Sequence, residues 1–395
     1  MLFCYVDVCS MSSASQLHSQ TDHLFDRLRE MAQELLLPVS QQGAPGRVNR
    51  DLVRALGETG VLGLLFPEDA GERGQARART ICLMREAIGY VSAEVEAAAA
   101  MQGLGGYPVL QSGQPHQLER WLAPLRKGTA VAAFALTEPD AGSDAGSLQL
   151  EAKPDSEGWR LSGEKLWITN APDADFYTTF ARTTPGHRAR GVTAFLVPGA
   201  SPGLRAEPIE LFAPHPIGRL IFDEVPVSRE DVLGEVDHGF RVAMRTLDLF
   251  RPSVGAAAIG MAQAALDATV TRTVRREAFG EPLARKQAVA HALADASTGL
   301  AAARLLVADA ADAYDRNDPE LTPKAAMAKL FATETAQRVI DTAVQFHGAS
   351  GLRSGHHIEE LYREIRALRI YEGASEIQRD IIARHLVRNA TASAD

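Results

Sequence analysis

An α+β fold is predicted for this chain: an N-terminal helical domain, a small central β-barrel or β-sandwich, and a C-terminal four-helix bundle. Three observations carry it. Apolar residues recur at three- and four-residue steps up to about residue 130; the period becomes two from about 131 to 236; long Ala-rich helical stretches fill the rest. Helix, then β, then helix is not the alternation of a βαβ sheet. No Gly-x-Gly-x-x-Gly follows a strand, so a Rossmann dinucleotide site is not expected.

The first region begins with Leu24, Phe25, Leu28, Met31, Ala32 and Leu35 on one helical face, with Thr21 or Asp22 as the cap and Pro38 as the stop. A second helix runs through Leu52, Val53, Leu56 and Val61 and breaks at Phe66-Pro67-Glu68-Asp69-Ala70-Gly71. Ala-rich helix continues around Ala97–Met101. In the middle region Phe134–Thr137 reads as a strand. Trp159–Ser162 and Leu166–Thr169 read as two more, joined by a turn at Gly163-Glu164. Phe176–Ala181, Val192–Val197 and Leu220–Val225 complete the β-unit. Helices are then expected over Phe240–Thr273, Gln287–Arg316 and Pro323–Gly348. The resulting domains are 20–130, 131–237 and 238–389, with 1–19 a flexible tail and 390–395 disordered.

Composition narrows the class. With 46% hydrophobic and 23% charged residues the chain is an ordinary globular protein. A formal net charge of −9 argues against nucleic acid or an anionic membrane surface as the main partner, because both reward a basic face. Cys4, Cys9 and Cys82 are odd in number, and their spacings fit neither a zinc site nor a disulfide framework. No metal is expected, and a reducing, cytoplasmic setting is. The start lacks a basic segment before Arg27 and does not resemble a targeting sequence; Met11 is an alternative start. No run of about 18 apolar residues is seen, so no membrane span is expected.

Four segments carry chemistry. In Thr137-Glu138-Pro139-Asp140-Ala141-Gly142-Ser143-Asp144 a strand end gives way to small residues, whose exposed N–H groups suit a phosphate or carbonyl oxygen. Taken alone it reads as an ordinary β-turn. In Lys165-Leu166-Trp167-Ile168-Thr169-Asn170, Trp and Thr at alternate positions share a strand face and suit a flat heteroaromatic ring, or simply a core. In Tyr371-Glu372-Gly373-Ala374-Ser375-Glu376-Ile377-Gln378-Arg379, Glu372 follows apolar sequence, and desolvation would make it a better base near neutral pH. The ordinary reading is an acidic helix N-terminus. In Arg276-Glu277-Ala278-Phe279-Gly280 a helix stops at Gly and restarts near Gln287.

Together, in this order and frame, the four resemble the acyl-CoA dehydrogenase family over nearly the whole chain from about residue 20. The Thr137–Asp144, Trp167–Thr169 and Tyr371–Arg379 motifs are specific to it. The resemblance implies an enzyme that uses FAD to desaturate an acyl thioester at its α and β carbons. It places Phe134, Leu136 and Thr137 along the flavin ring, Trp167 and Thr169 beside it, and Gly142 and Ser143 at the pyrophosphate and the thioester ligand. Arg276, Phe279, Gln287, Gln345 and Gly348 match positions that reach the FAD of a neighbouring subunit, so a homotetramer or homodimer is implied. Ala374 and Glu376 fall in the FAD-binding stretch after the base. Asp248, Arg251 and Gly373 match positions at or around the thioester ligand. Glu372 matches the base; the alternative base position of some members is Phe250, which accepts no proton. An electron-transfer flavoprotein is the implied acceptor.

Departures from the family pattern bear on the ligand. Leu211–Arg219 lacks the usual Gly-x-Arg-x-Ser-like pattern, Ala349 stands for a common Gly, and Ala374 for a common Thr. An acyl-carrier-protein-linked dehydrogenase and an oxidase therefore stay open beside the CoA-linked enzyme, as does a non-catalytic, nucleic-acid-binding member. Met101, Gln102 and Tyr107 are candidates for shaping the acyl pocket.

Overall fold

The computed structural model describes residues 14–68, 76–186 and 188–392. Cys4, Cys9, the alternative start at Met11 and most of the expected tail lie outside them, as does the break beyond Glu68. Helix α1 (Ala14–Met31) is already under way at Ala14, so neither Thr21 nor Asp22 caps it. Pro38 does not end the helical run. The chain passes through a π-helical segment, Ala32–Leu36, into the short α2 (Leu37–Ser40), with Pro38 in its first turn. A proline fits there because first-turn N–H groups lack intrahelical acceptors. The second expected helix is two, α3 (Arg50–Glu58) and α4 (Val61–Leu65), parted at Gly60. Asn49 caps α3 by accepting from the Leu52 N–H at 3.0 Å. Then come α5 (Ala78–Val91), α6 (Ala93–Ser112) and α7 (Pro115–Arg126).

The β-unit is an eight-stranded sheet ordered β6-β7-β3-β2-β4-β5-β8, with β1 beside β4. Its strands are β1 (Ala132–Ala135), β2 (Glu151–Pro154), β3 (Gly158–Thr169), β4 (Phe176–Arg182), β5 (Val192–Pro198), β6 (Leu204–Pro208), β7 (Ile217–Ser228) and β8 (Val232–Leu233). The turn expected at Gly163-Glu164 does not form. Strand β3 runs unbroken against β7, with register shifts between Leu161 and Gly163 and between Lys165 and Ile168. These irregularities bend the strand without ending it. Helix α6 lies directly on β1 and β4: Thr178 Oγ1 donates to the Gly105 carbonyl at 2.9 Å. A Cβ on Gly105 would sit 2.6 Å from the Ala133 nitrogen, so the approach requires glycine.

The C-terminal helices are α8 (Gly239–Arg275), α9 (Gln287–Asp315), α10 (Leu321–His347), α11 (His357–Leu368) and α12 (Ser375–Ala392). Ala390–Ala392, expected in a disordered tail, continue α12. No membrane span is expected from the sequence, yet helix α8 is long and apolar enough by composition to cross one. However, 72% of its most apolar window is buried inside the protein. Ala256, Ala257, Ala258 and Ala262 are fully buried, and their small side chains let neighbouring helices approach closely. Between α8 and α9 the Gly280 stop is a hairpin, Glu277–Ala278 against Glu281–Pro282. Its two linking residues, Phe279 and Gly280, have φ of +55° and +81°, the mirror-image turn that suits twisted strands.

Candidate active site

Glu372 lies in the short connection between α11 and α12. Its φ is +53° and that of Gly373 is +94°, so two successive left-handed residues swing the chain inward. Such a conformation costs a non-glycine residue of the order of 1 kcal/mol or more and persists only where neighbours impose it. Three do. Lys329 on α10 donates to the Gly373 carbonyl at 2.7 Å, and Gln378 Nε2 donates to the same oxygen at 2.8 Å. Arg251 on α8 makes a long contact, 3.4 Å, to the Glu372 carbonyl. Both carboxylate oxygens of Glu372 are buried and have no hydrogen-bond partner among the described residues. Burial raises the proton affinity of this carboxyl above the ordinary value; Arg85, Lys329 and Arg251 pull it back toward the ionised form. Burial likewise lowers the Lys329 ammonium to about 8.

The facing wall comes from the β-unit. Lys165, fully buried on β3, donates to the Leu136 carbonyl at 2.9 Å and to Glu138 at 2.7 Å. Glu138 in turn accepts from the Leu150 N–H at 2.9 Å, and the Leu166 N–H donates to the Thr137 carbonyl at 2.9 Å. This network ties the Thr137 loop to the bulge of β3. The bulge turns Trp167 outward: its φ is +60° and it is 51% exposed, while Ile168 beside it is buried. A break in the strand's alternation, rather than the alternation itself, aims the indole.

Between these walls runs a mostly apolar cleft of about 1380 Å³. Of the residues singled out in the sequence, Phe134, Leu136, Thr137, Gly142, Ser143, Trp167, Thr169, Arg251, Glu372 and Gly373 line it, as does Met101. Asp248 does not line the cleft; it pairs with Arg251 at 3.1 Å and so holds a residue that does. Ala374 and Glu376 are also off the cleft wall, Glu376 being exposed in the first turn of α12. Arg276, Phe279, Gln287, Gln345 and Gly348 are exposed and absent from the cleft. They gather where α8 and α10 end, joined by Arg272, which donates to the Phe346 and His347 carbonyls at 3.1 and 2.9 Å. Phe250 is fully buried, packed edge-on against Tyr107 at 6.0 Å, and Gln102 accepts from the Ala132 N–H at 2.9 Å. Neither Gln102 nor Tyr107 reaches the cleft.

Sequence reasoning missed Arg85, Glu96 and Lys329, and gave Glu138 and Lys165 no role within the segments that contain them. Arg85 and Glu96 form an ion pair with side chains 1% and 2% exposed. The available signal was a lone charge within an apolar helical face; the pairing itself joins elements that no local spacing connects.

Comparison with known proteins follows the same three-part division. The acyl-CoA dehydrogenase N-terminal domain family matches residues 19–129, the middle domain 133–225 and the C-terminal domain 237–387. The chain belongs to the acyl-CoA dehydrogenase family. It is 37% identical to the mitochondrial short-chain specific acyl-CoA dehydrogenase of Bos taurus, over 91% of this chain and 88% of that one. It is 34% identical to cyclohexane-1-carbonyl-CoA dehydrogenase of Geobacter metallireducens, over 92% and 97%. Among solved structures, butyryl-CoA dehydrogenase from Megasphaera elsdenii superposes with a TM-score of 0.86 at 31% identity, covering 98% of this chain and 100% of that one. A structure described with the electron transferring flavoprotein of Acidaminococcus fermentans superposes at 0.87 with 33% identity, covering 97% and 100%.

Acyl-CoA dehydrogenases are FAD-dependent oxidoreductases, and this chain's residues fit the cofactor. The half-exposed indole of Trp167 is a large apolar face on the cleft wall with protein on one side only. Thr169 sets a hydroxyl beside it, and Gly142 has open space where a side chain would stand. A flat ring with polar edges suits the first two, and the open space at Gly142 suits a phosphate group approaching the backbone.

Proposed function

We propose that this acyl-CoA dehydrogenase converts an acyl-CoA thioester to the trans-2-enoyl-CoA, with Glu372 as the base. One observation supports this above the others: a buried carboxylate with no partner, on a strained turn, facing an apolar cleft. Glu372 takes the α-proton. Burial makes it basic enough for the task, and Arg85, Lys329 and Arg251 keep it ionised beforehand. The thioester oxygen gains charge as the α-proton leaves, and the Glu372 N–H donates to it. Met101, Leu104 and Leu247 keep water from the reacting carbons. FAD, when bound, supplies the acceptor for the β-hydrogen and its electron pair. Phe134, Leu136, Thr137, Trp167 and Thr169 would hold its ring, and Gly142 and Ser143 its pyrophosphate.

The electrons pass onward to an electron-transfer flavoprotein. A second copy of the chain would receive the Phe279 hairpin, and Arg276, Gln287, Gln345 and Gly348 would then help to hold that copy's FAD. The exposure of Phe279, 97%, supports that reading, since an aromatic ring at a hairpin tip is otherwise left in water.

Anaerobic titration of the flavoprotein with acyl-CoAs, following flavin bleaching, tests the proposal. Bleaching that is lost in Glu372→Gln with flavin still bound is the expected result; full activity in that variant would refute the base assignment.

A further inference from the structure

The inner end of the cleft is polar. Arg85 on α5 and Glu96 on α6 line it, both almost completely buried. Arg85 Nε donates to Glu96, and Nη1 donates to the Ser253 hydroxyl at 2.8 Å. The remaining nitrogen, Nη2, is buried without a partner among the described residues. A buried donor left unsatisfied is costly, and native proteins rarely keep one that no ligand or water serves.

The surroundings indicate what serves it. Both oxygens of Glu372 are also buried and unpartnered. Arg85 and Glu372 influence each other's charge, yet the ion pair of Arg85 is with Glu96 and not with Glu372. An unsatisfied donor and an unsatisfied acceptor therefore border one space. The CoA portion is large and charged, and belongs at the rim, where Arg188 of the cleft lining is exposed. The acyl group then points inward, toward Arg85.

Charge selects among the groups that could meet Nη2. The charges here are already matched: Arg85 by Glu96, Arg251 by Asp248, and Lys329 by Glu372. A carboxylate on the acyl group would find no unmatched cation, whereas an uncharged oxygen needs only the N–H on offer. We propose, on the basis of the dehydrogenase reading above, that Arg85 is a specificity-determining residue, and that the preferred acyl group carries an uncharged carbonyl, hydroxyl or ether oxygen. The α- and β-carbons both give up hydrogen, so the oxygen lies beyond the β-carbon. Arg85 donates to it and takes no part in the transfer itself.

The test compares kcat/KM of the holoenzyme for three five-carbon thioesters: 4-oxopentanoyl-CoA, pentanoyl-CoA and glutaryl-CoA. The oxo compound is expected to lead each of the others by at least about 10-fold, because a site built for a hydrogen bond discriminates strongly against ligands lacking it. The double variant R85M/E96L removes both charges together and leaves neither orphaned. It is expected to bring 4-oxopentanoyl-CoA and pentanoyl-CoA within about 3-fold of each other. Glu96→Gln, which keeps the donor and removes one anion, is expected to raise glutaryl-CoA relative to 4-oxopentanoyl-CoA. Equal use of pentanoyl-CoA by the unmodified enzyme, or a preference that survives in R85M/E96L, overturns the inference while leaving the dehydrogenase intact. If no thioester bleaches the flavin, the dehydrogenase reading fails and this inference with it. Should the double variant not fold, the three-substrate comparison in the unmodified enzyme still decides.

Discussion

Lys329 Nζ lies 2.7 Å from the carbonyl oxygen of Gly373, so an ammonium buried in one helix holds the turn that presents Glu372. The lysine has two effects on that residue. It stabilises a backbone conformation that a glutamate resists, and its charge favours the carboxylate.

Replacement by methionine separates these effects. Loss of a neighbouring cation disfavours the carboxylate, so the acid limb of the kcat/KM profile moves to higher pH in Lys329→Met. The difference is largest below pH of about 8, where Lys329 carries its charge. A profile recorded across the acid and neutral range checks this; an unmoved or acid-shifted limb would contradict it.

Glu372→Gln should be less active and more stable. Removing a general base costs about 10²- to 10⁴-fold in kcat. The native state holds the Glu372 proton more tightly than the unfolded chain does. The stability this gives is fully present below the unfolded pKa and is lost as pH rises through the folded one. At neutral pH the glutamine variant is therefore more stable by about 1 kcal/mol, in the manner of active-site groups kept for function. Urea melts of the two proteins should converge in acid and separate at pH 7.

Lys165→Met tests the facing wall. It leaves Glu138 buried without its cation and frees the Leu136 carbonyl. Breaking one partner of a buried pair costs about 3–5 kcal/mol. The urea midpoint should fall accordingly, and flavin should dissociate more readily because the Thr137 loop is no longer tied to β3. Adding Glu138→Gln should recover part of the loss.

Phe279→Asp addresses assembly. The ring makes little contact within its own chain, so the thermal stability of the monomer should change little. If a second copy receives the hairpin, a charge at its tip should lower the sedimentation coefficient and weaken flavin retention by at least about tenfold. An unaltered coefficient would remove the hairpin from the interface.

The sequence carried much of this molecule because its periodicities are long and its motifs local. Phe240–Thr273 and Gln287–Arg316 agree with α8 and α9 to within one or two residues, since a buried helical face repeats over many turns. The Tyr371-Glu372-Gly373 and Trp167–Thr169 motifs, about 200 residues apart in the chain, both line one cleft. Where local rules misled, tertiary contacts had overridden them. Gly163 looked like a turn, but pairing with β7 carries the strand through as a bulge. Pro38 looked like a stop, but a π-helical segment lets the chain resume.

The order of helix, sheet and bundle, the acid that follows Tyr371 and the aromatic residue of β3 were all present in one dimension, because each depends on neighbours within a few residues. The partners of that acid were not. Arg85, Arg251 and Lys329 come from three different helices and meet Glu372 only when α5, α8 and α10 pack together. Electrostatic coupling falls with distance in space and takes no account of separation along the chain. Only folding could therefore set the proton affinity of the site and leave an unsatisfied donor at its inner end.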